Sequence, residues 1–136
     1  MFKIIIERGA KTKCTQNELN KILTKISQTA KSTFQDKLDS VILYGSYARG
    51  DYDNDSDIDI LVLADIPREH IFKYKPNLIH LSSQLGLEYD ILITITIRDL
   101  DTYNKYLNAV PFYQNIKKEG VPIAVWGSFG FIKIKA

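Results

Sequence analysis

Two aspartates spaced two residues apart, Asp57 and Asp59, are placed in this sequence where they could bind a metal ion. They begin the segment 57–64, which turns continuously apolar and is typical of a strand entering a core. Because successive side chains of a strand point to opposite faces, both carboxylates are expected on one face. Five aspartates fall within residues 51–59, and carboxylates this close repel one another unless a cation joins them. The spacing therefore predicts a site for a hard cation such as Mg²⁺.

The turn Gly45-Ser46 is a second candidate, because it ends the short apolar run Val41-Ile42-Leu43-Tyr44. A glycine between a strand and a helical turn lets a ligand approach the backbone. Free N–H groups at the start of a helix attract phosphate. A phosphate-binding turn beside two carboxylates describes a magnesium–nucleotide site, in which the metal bridges phosphate oxygens.

The same residues could instead form a solvated turn or a calcium-binding loop. Either half of the pattern alone is more often a solvated turn than a functional site. A calcium-binding EF-hand loop would use the alternating Asp53, Asp55 and Asp57, but it needs Gly at its sixth position and Glu at its twelfth. For loops starting at residues 51, 53 and 55, the sixth residues are Ser56, Ile58 and Ile60, and the twelfth are Val62, Ala64 and Ile66. The EF-hand interpretation therefore fails.

Strands and helices alternate along the chain, which predicts an α/β domain of the α+β type, a small mixed β-sheet with flanking helices. Thr15 and Glu18 are spaced as a capping box for an amphipathic helix over residues 16–35. The other expected elements are strands at 41–44, 57–64, 87–97 and 121–126, and helices at 67–85, with a break near Pro76, and at 111–119. We expect the helices mainly on one face of the sheet, and Asp57 and Asp59 on a central strand.

The whole chain has the length and balance of a single domain. Its 136 residues are 45% hydrophobic and 25% charged, and the net charge is +2. A single cysteine, Cys14, excludes an internal disulfide and a multi-thiolate zinc site. The apolar runs are too short for a membrane span or a signal peptide, so we expect a cytoplasmic protein with no membrane partner. Residues 1–136 are expected to form one domain, with 127–136 either an edge strand or a docking tail.

Taken together, the segments Gly45 to Asp51 and Ser56-Asp57-Ile58-Asp59-Ile60 resemble the signature of the DNA polymerase β-like nucleotidyltransferase superfamily. The similarity is strongest to the minimal nucleotidyltransferases, the MNT proteins of prokaryotes. It extends through Glu88 to Leu92 and Pro111 to Gly120, and so covers about residues 16–125. The resemblance implies the polymerase β-like nucleotidyltransferase fold.

The resemblance also implies a set of metal ligands. Asp57 and Asp59 would ligate two Mg²⁺ ions, for which Mn²⁺ could substitute. Asp90 would supply a third carboxylate from a neighbouring strand, share a metal and help to deprotonate the attacking hydroxyl. Glu88, two residues earlier on the same expected strand face, is the alternative to Asp90.

Nucleotide-binding residues follow from the same resemblance. Gly45 and Ser46 would hold the β- and γ-phosphates of ATP or another nucleoside triphosphate. Arg49 is expected either near the triphosphate or in an ion pair with Asp51. The implied reaction is transfer of a nucleoside monophosphate, most simply AMP from ATP, to a hydroxyl group.

The acceptor is less constrained by the sequence. A chain of this length resembles the stand-alone MNT antitoxin that pairs with a HEPN ribonuclease and transfers AMP to one of its tyrosines. A non-catalytic antitoxin that acts by contact alone is an alternative, as is nucleotidylation of a small molecule or a nucleic acid. Lysines before and on the amphipathic helix, Lys11, Lys13, Lys21, Lys25 and Lys31, are not interleaved with aromatic residues, so a nucleic-acid partner is not expected. A homo- or hetero-oligomer is left open.

Overall fold

The computed structural model describes residues 14–125. Within this range it contains four strands, five α-helices and two 3₁₀ turns. In chain order they are α1 (Gln16–Phe34), a 3₁₀ turn (Gln35–Lys37), β1 (Leu38–Tyr44), α2 (Ser46–Arg49), β2 (Ile58–Ala64), a second 3₁₀ turn (Arg68–His70), α3 (Ile71–Tyr89), β3 (Ile93–Asp99), α4 (Leu100–Tyr106), α5 (Pro111–Glu119) and β4 (Val121–Val125). The expected fold class, a small mixed sheet with flanking helices, is confirmed.

The four strands form one mixed sheet in the order β3-β2-β1-β4. Strand β1 runs antiparallel to both of its neighbours, whereas β3 runs parallel to β2 after the crossover through α3. The register places Tyr44, the last residue of β1, opposite Asp59 on β2. On the other side of β2, Asp59 lies beside Thr94 of β3. Asp59 is thus on a central strand, and Asp57 immediately precedes that strand.

Helices α1 and α3 cover one face of the sheet. The predicted capping box fixes the start of α1, because Glu18 N donates to the Thr15 hydroxyl at 3.1 Å and Thr15 N donates to the Glu18 carboxylate at 3.1 Å. The buried residues at this face include Leu19, Ile22, Leu23, Ile26, Ala30 and Phe34 from α1, Leu78, Leu81 and Leu85 from α3, and Ile58, Ile60 and Val62 from β2. Burial of these alternate residues of β2 leaves the opposite face to Asp57 and Asp59.

The opposite face is only partly covered. Helices α4 and α5 pack there around a smaller cluster formed by Leu61, Leu63, Tyr103, Tyr113 and Ile116. The expectation that the helices lie mainly on one face is therefore wrong. The face of β2 that carries Leu61 and Leu63 is also apolar, and α4 and α5 bury it. Asp59, two residues before Leu61, is not part of the cluster and remains partly exposed.

The strand expected over 87–97 is wrong in its first half. Helix α3 continues to Tyr89 with no break at Pro76, and β3 begins only at Ile93. The residues Leu81 and Leu85 bury the helix against the sheet, and this packing outweighs the strand-like composition of the segment that follows. The helical hydrogen bonds therefore end several residues later than the local pattern indicates.

Residues 127–136, for which an edge strand or a docking tail was expected, lie outside the described residues. In the part of the chain that the structure describes, none of the helices is sufficiently long and apolar to cross a membrane.

Candidate active site

The Gly45-Ser46 turn forms the first part of the site. Gly45 has a φ of +77°, a backbone conformation that side chains disfavour, and α2 begins directly after it at Ser46. A Cβ atom added to Gly45 would lie 2.5 Å from Oδ2 of Asp59, closer than real atoms pack. Glycine is therefore needed here for two reasons, its backbone freedom and the space that it leaves for the Asp59 carboxylate. The turn and the carboxylate are in direct contact.

Asp57 and Asp59 carry negative charge that Arg49 only partly offsets. Burial of Asp59 raises the pKa of its carboxyl group, and the charge of Asp57 raises it further. Arg49 acts in the opposite direction and lowers that pKa, but the net shift is upward. A carboxylate in this environment favours a cation, and oxygen ligands suit Mg²⁺. The donor chemistry of Asp57 and Asp59 thus fits the metal that their spacing implies.

Arg49 lies beside the site and forms two ion pairs. Its Nε donates to Asp51 Oδ2 at 3.2 Å, and its Nη1 donates to Glu119 Oε1 at 3.3 Å. The expected pairing with Asp51 is therefore present. The guanidinium is nevertheless exposed and close enough to Asp59 to affect its pKa, so it can also reach an anion bound at the turn.

Asp90 does not lie on the strand next to β2. It caps the C-terminus of α3 in the left-handed conformation, with a φ of +54°, and its side chain is exposed. Asp90 and Asp57 line the same open depression, together with Leu87 and Leu92. The placement expected from the strand pattern is thus wrong, while the assignment of Asp90 as a third ligand stays a prediction.

The alternative third ligand, Glu88, lies in the last turn of α3 and is exposed. Among residues 14–125, no three His, Cys, Asp or Glu side chains are close enough together to hold a metal ion. The described residues place Gly45, Ser46, Arg49, Asp57 and Asp59 at one end of β1 and β2, and Asp90 lines the same depression as Asp57.

Two aromatic residues beside the site were missed by sequence reasoning. Tyr44 is half-buried opposite Asp59, and the pKa of its hydroxyl is raised, mainly by burial. A hydrogen bond with Thr96 on β3 lowers that pKa in part, and the charge of Asp59 adds a smaller upward shift. The ring of Phe112, at the start of α5, meets the Tyr44 ring edge-on at 5.5 Å. The position of Tyr44 directly before Gly45 was a usable signal. No local pattern indicates that α5 folds back to this end of the sheet.

Comparison with known proteins assigns a chemistry to this arrangement. A family model described as a nucleotidyltransferase domain matches residues 20–128. This range includes the Gly45 turn, both carboxylates of β2, Asp90 and helix α5.

Two curated relatives and one solved structure illustrate the similarity. The chain is 38% identical over 96 residues to "Putative protein adenylyltransferase MJ0141" of Methanocaldococcus jannaschii, which covers 71% of this chain and 95% of the relative. It is 33% identical over 100 residues to "Putative protein adenylyltransferase MJ0604" of the same organism, and this alignment covers 74% of this chain and 92% of the relative. A crystal structure described as a putative nucleotidyltransferase from Sulfolobus solfataricus is 25% identical, with a TM-score of 0.50, and covers 83% of this chain and 85% of that one.

Proposed function

Because the chain belongs to the nucleotidyltransferase domain family, we propose that it transfers AMP from ATP to a hydroxyl group of a partner protein in a Mg²⁺-dependent reaction. The observation that carries this proposal is the contact between the Gly45 turn and the Asp59 carboxylate. This contact supports the proposal, because it would set a phosphate-binding backbone against a metal-binding side chain, as a metal–nucleotide substrate requires.

The reaction forms one bond and breaks one bond at the α-phosphorus. The acceptor oxygen attacks that phosphorus, and the bond to the β-phosphate oxygen breaks, so that pyrophosphate leaves with the electron pair. The acceptor proton passes to a carboxylate or to water. Bound Mg²⁺ would neutralise charge on the entering and leaving oxygens. The protein then supplies mainly positioning and charge compensation.

Each site residue has a proposed role in this reaction. Asp57 and Asp59 would hold the metal ions, two in number as in the family that the motifs resemble. The backbone of Gly45 and Ser46 would bind the β- and γ-phosphates, with Arg49 compensating their charge. Asp90, which lines the same depression as Asp57, would accept the proton of the acceptor hydroxyl or share a metal.

In-line displacement indicates where the acceptor approaches. The entering oxygen lies opposite the departing pyrophosphate, which would rest on the Gly45 turn at the end of β1. The acceptor would then come from the β3 side of β2. The depression on that side is lined by Asp57 and Asp90 and by the exposed side chains of Leu87 and Leu92. Polar residues such as Ser56 and Ser83 also line it, and the two exposed leucines give it an apolar area that favours contact with a protein surface.

The nature of the acceptor rests on two further supports. Both curated relatives described above are named as protein adenylyltransferases, which favours a protein hydroxyl. The resemblance of the motifs to MNT antitoxins favours a tyrosine of a HEPN-family toxin. Under this proposal, adenylylation of the toxin is the antitoxin activity.

The test is to incubate the chain with α-labelled ATP, Mg²⁺ and the product of the adjacent gene, and to measure intact masses. We expect one AMP to be added to the partner, and no addition with Asp57→Ala or Asp59→Ala. Asp65→Ala is the matched control, because Asp65 is an exposed aspartate just after the opposite end of β2. Inhibition of the partner without a gain in mass, unchanged in the Asp57 and Asp59 variants, would instead support an antitoxin that acts by contact alone.

A further inference from the structure

The position of the nucleoside is constrained by what surrounds Asp59, if the proposed function is correct. The triphosphate would extend from Asp59 toward Gly45, and the acceptor would occupy the side of Thr94 and Asp90. The nucleoside, which is attached to the same α-phosphate, must leave in a third direction. Along the same face of the sheet, Tyr44 lies directly opposite Asp59 in the antiparallel pair and interacts with Thr96 farther along β3. Phe112 packs on Tyr44, so this third direction is bordered by aromatic rings.

Phe112 contacts two other aromatic rings and remains partly exposed to solvent. The centroid of its ring lies 5.5 Å from that of Tyr44, in an edge-on geometry, and 5.6 Å from that of Tyr113. Tyr113 is buried, contacts Tyr103 at 5.3 Å, and accepts a hydrogen bond from Arg98 at 3.1 Å. Phe112 itself is 38% exposed. The rings of Tyr44 and Tyr113 thereby support the Phe112 ring, which is partly exposed to solvent beside the candidate site.

Helix α5 reaches both ends of the proposed nucleotide. Phe112 and Glu119 are seven residues apart, so they share one face of the helix, about 10 Å apart at 1.5 Å per residue. One end of this face contacts Tyr44, and the other end contacts Arg49, the residue assigned to the triphosphate. A span of this size matches the distance from the base to the phosphates, so α5 can form one wall of the whole substrate site.

We propose that Phe112, supported by Tyr44, stacks against the nucleobase of the bound nucleoside triphosphate. This inference rests on the proposed function, because it takes the metal and phosphate positions from it. Stacking on an aromatic face tolerates different bases, since every base has a π-face. The platform therefore contributes affinity for the nucleoside rather than strict selection of adenine.

The test compares ATP with inorganic tripolyphosphate, which has the phosphates but no nucleoside. Both are titrated into the protein with Mg²⁺ by calorimetry. We expect Phe112→Ala to weaken ATP binding by about 5- to 150-fold, the range for loss of one base–aromatic stack, and to leave tripolyphosphate binding unchanged. Phe112→Trp should retain ATP affinity. Phe72→Ala is the matched control, because Phe72 is a 70% exposed phenylalanine on α3.

Several outcomes would overturn the proposal. Equal weakening of ATP and tripolyphosphate would make Phe112 a structural wall only, and unchanged ATP affinity would exclude stacking. An effect confined to the KM of the acceptor protein would assign the platform to the acceptor instead. Phe112→Leu keeps an apolar side chain against Tyr44 but lacks a π-face, so it serves if the alanine variant fails to fold. Failure of the wild-type protein to bind either ligand would refute the proposed function itself.

Discussion

The Asp59 side chain links the charge of the site to the stability of the fold. Its pKa is raised in the folded state, by burial first and by Asp57 second, so the folded protein holds this proton more tightly than the unfolded chain. Stability is then greatest below the ordinary aspartate pKa and falls as the pH rises through the raised value. In the presence of a chelator, we expect Asp59→Asn to unfold at a higher temperature than wild type at pH 7.

This difference should disappear on acidification, when Asp59 is protonated in both states. Thermal unfolding followed by circular dichroism at several pH values would measure it. A variant less stable than wild type at pH 7 would contradict the raised pKa.

Arg49 can be separated into a structural and a phosphate-binding role. Its ion pairs with Asp51 and Glu119 are exposed, so Arg49→Ala should change the free energy of unfolding only slightly. Loss of a charge-assisted contact to phosphate costs more, so kcat/KM should fall roughly 10- to 150-fold. Glu119→Gln removes one ion pair but keeps the guanidinium, and should stay within about threefold of wild type. Equal losses in both variants would indicate that Arg49 acts only through the ion pair.

At the level of secondary structure, the glycines on either side of α2 allow the effect of a steric clash with Asp59 to be separated from that of backbone strain. Gly45 and Gly50 both have positive φ, +77° and +86°, but a Cβ on Gly50 would meet nothing within 4 Å. Gly50→Ala should therefore cost only the left-handed backbone, about 1 to 2 kcal/mol. Gly45→Ala adds a clash with the Asp59 carboxylate, so it should unfold at a lower denaturant concentration and lose activity. Similar stability and activity of the two variants would show that Asp59 moves aside at little cost.

The C-terminus of α3 offers a test of Asp90 that is independent of stability. Asn tolerates the left-handed conformation of this residue about as well as Asp, and Gly adopts it without strain. The backbone of Asp90→Asn and Asp90→Gly should therefore be unstrained, and thermal unfolding of each variant measures any change in stability separately from activity. If the carboxylate takes part in catalysis, both should lower kcat by about a hundredfold or more. Glu88→Gln, in the preceding helical turn, is the control, and a greater loss there would transfer the role to Glu88.

Features that depend on nearby residues could be predicted from the sequence, whereas those that depend on packing between distant elements could not. The capping box at Thr15 and the Gly45 turn depend on neighbours within a few residues, and both are found as predicted. The end of α3 depends on how Leu81 and Leu85 pack against the sheet, so local composition misplaced it and Asp90 with it. Phe112 and Glu119 reach Tyr44 and Arg49 only after α5 folds back across the chain, and no spacing pattern encodes that contact.

At the level of the whole molecule, binding of the metal–nucleotide complex should stabilise the native state. A ligand at 100 times its Kd adds about 2.7 kcal/mol to the free energy of unfolding, which for a domain of this size raises the Tm by on the order of 10 °C. Mg²⁺ with a non-hydrolysable ATP analogue should produce such a shift in wild type and in Asp65→Asn. The double variant Asp57→Asn, Asp59→Asn should show none, and a wild-type response from it would place the ion elsewhere.

The pairing of β1 with β4 has a consequence for the timing of synthesis. Leu43 pairs with Val121, about 78 positions later in the chain, and α5 immediately precedes β4. At about 5 to 20 residues per second, a ribosome needs roughly 4 to 16 seconds between these strands. Throughout that interval the nascent β1 has only β2 to pair with, and its other edge is a template for unwanted association. Helix α5, which carries Phe112, is placed in the same late step, so a nascent chain completes its sheet and the proposed substrate pocket together.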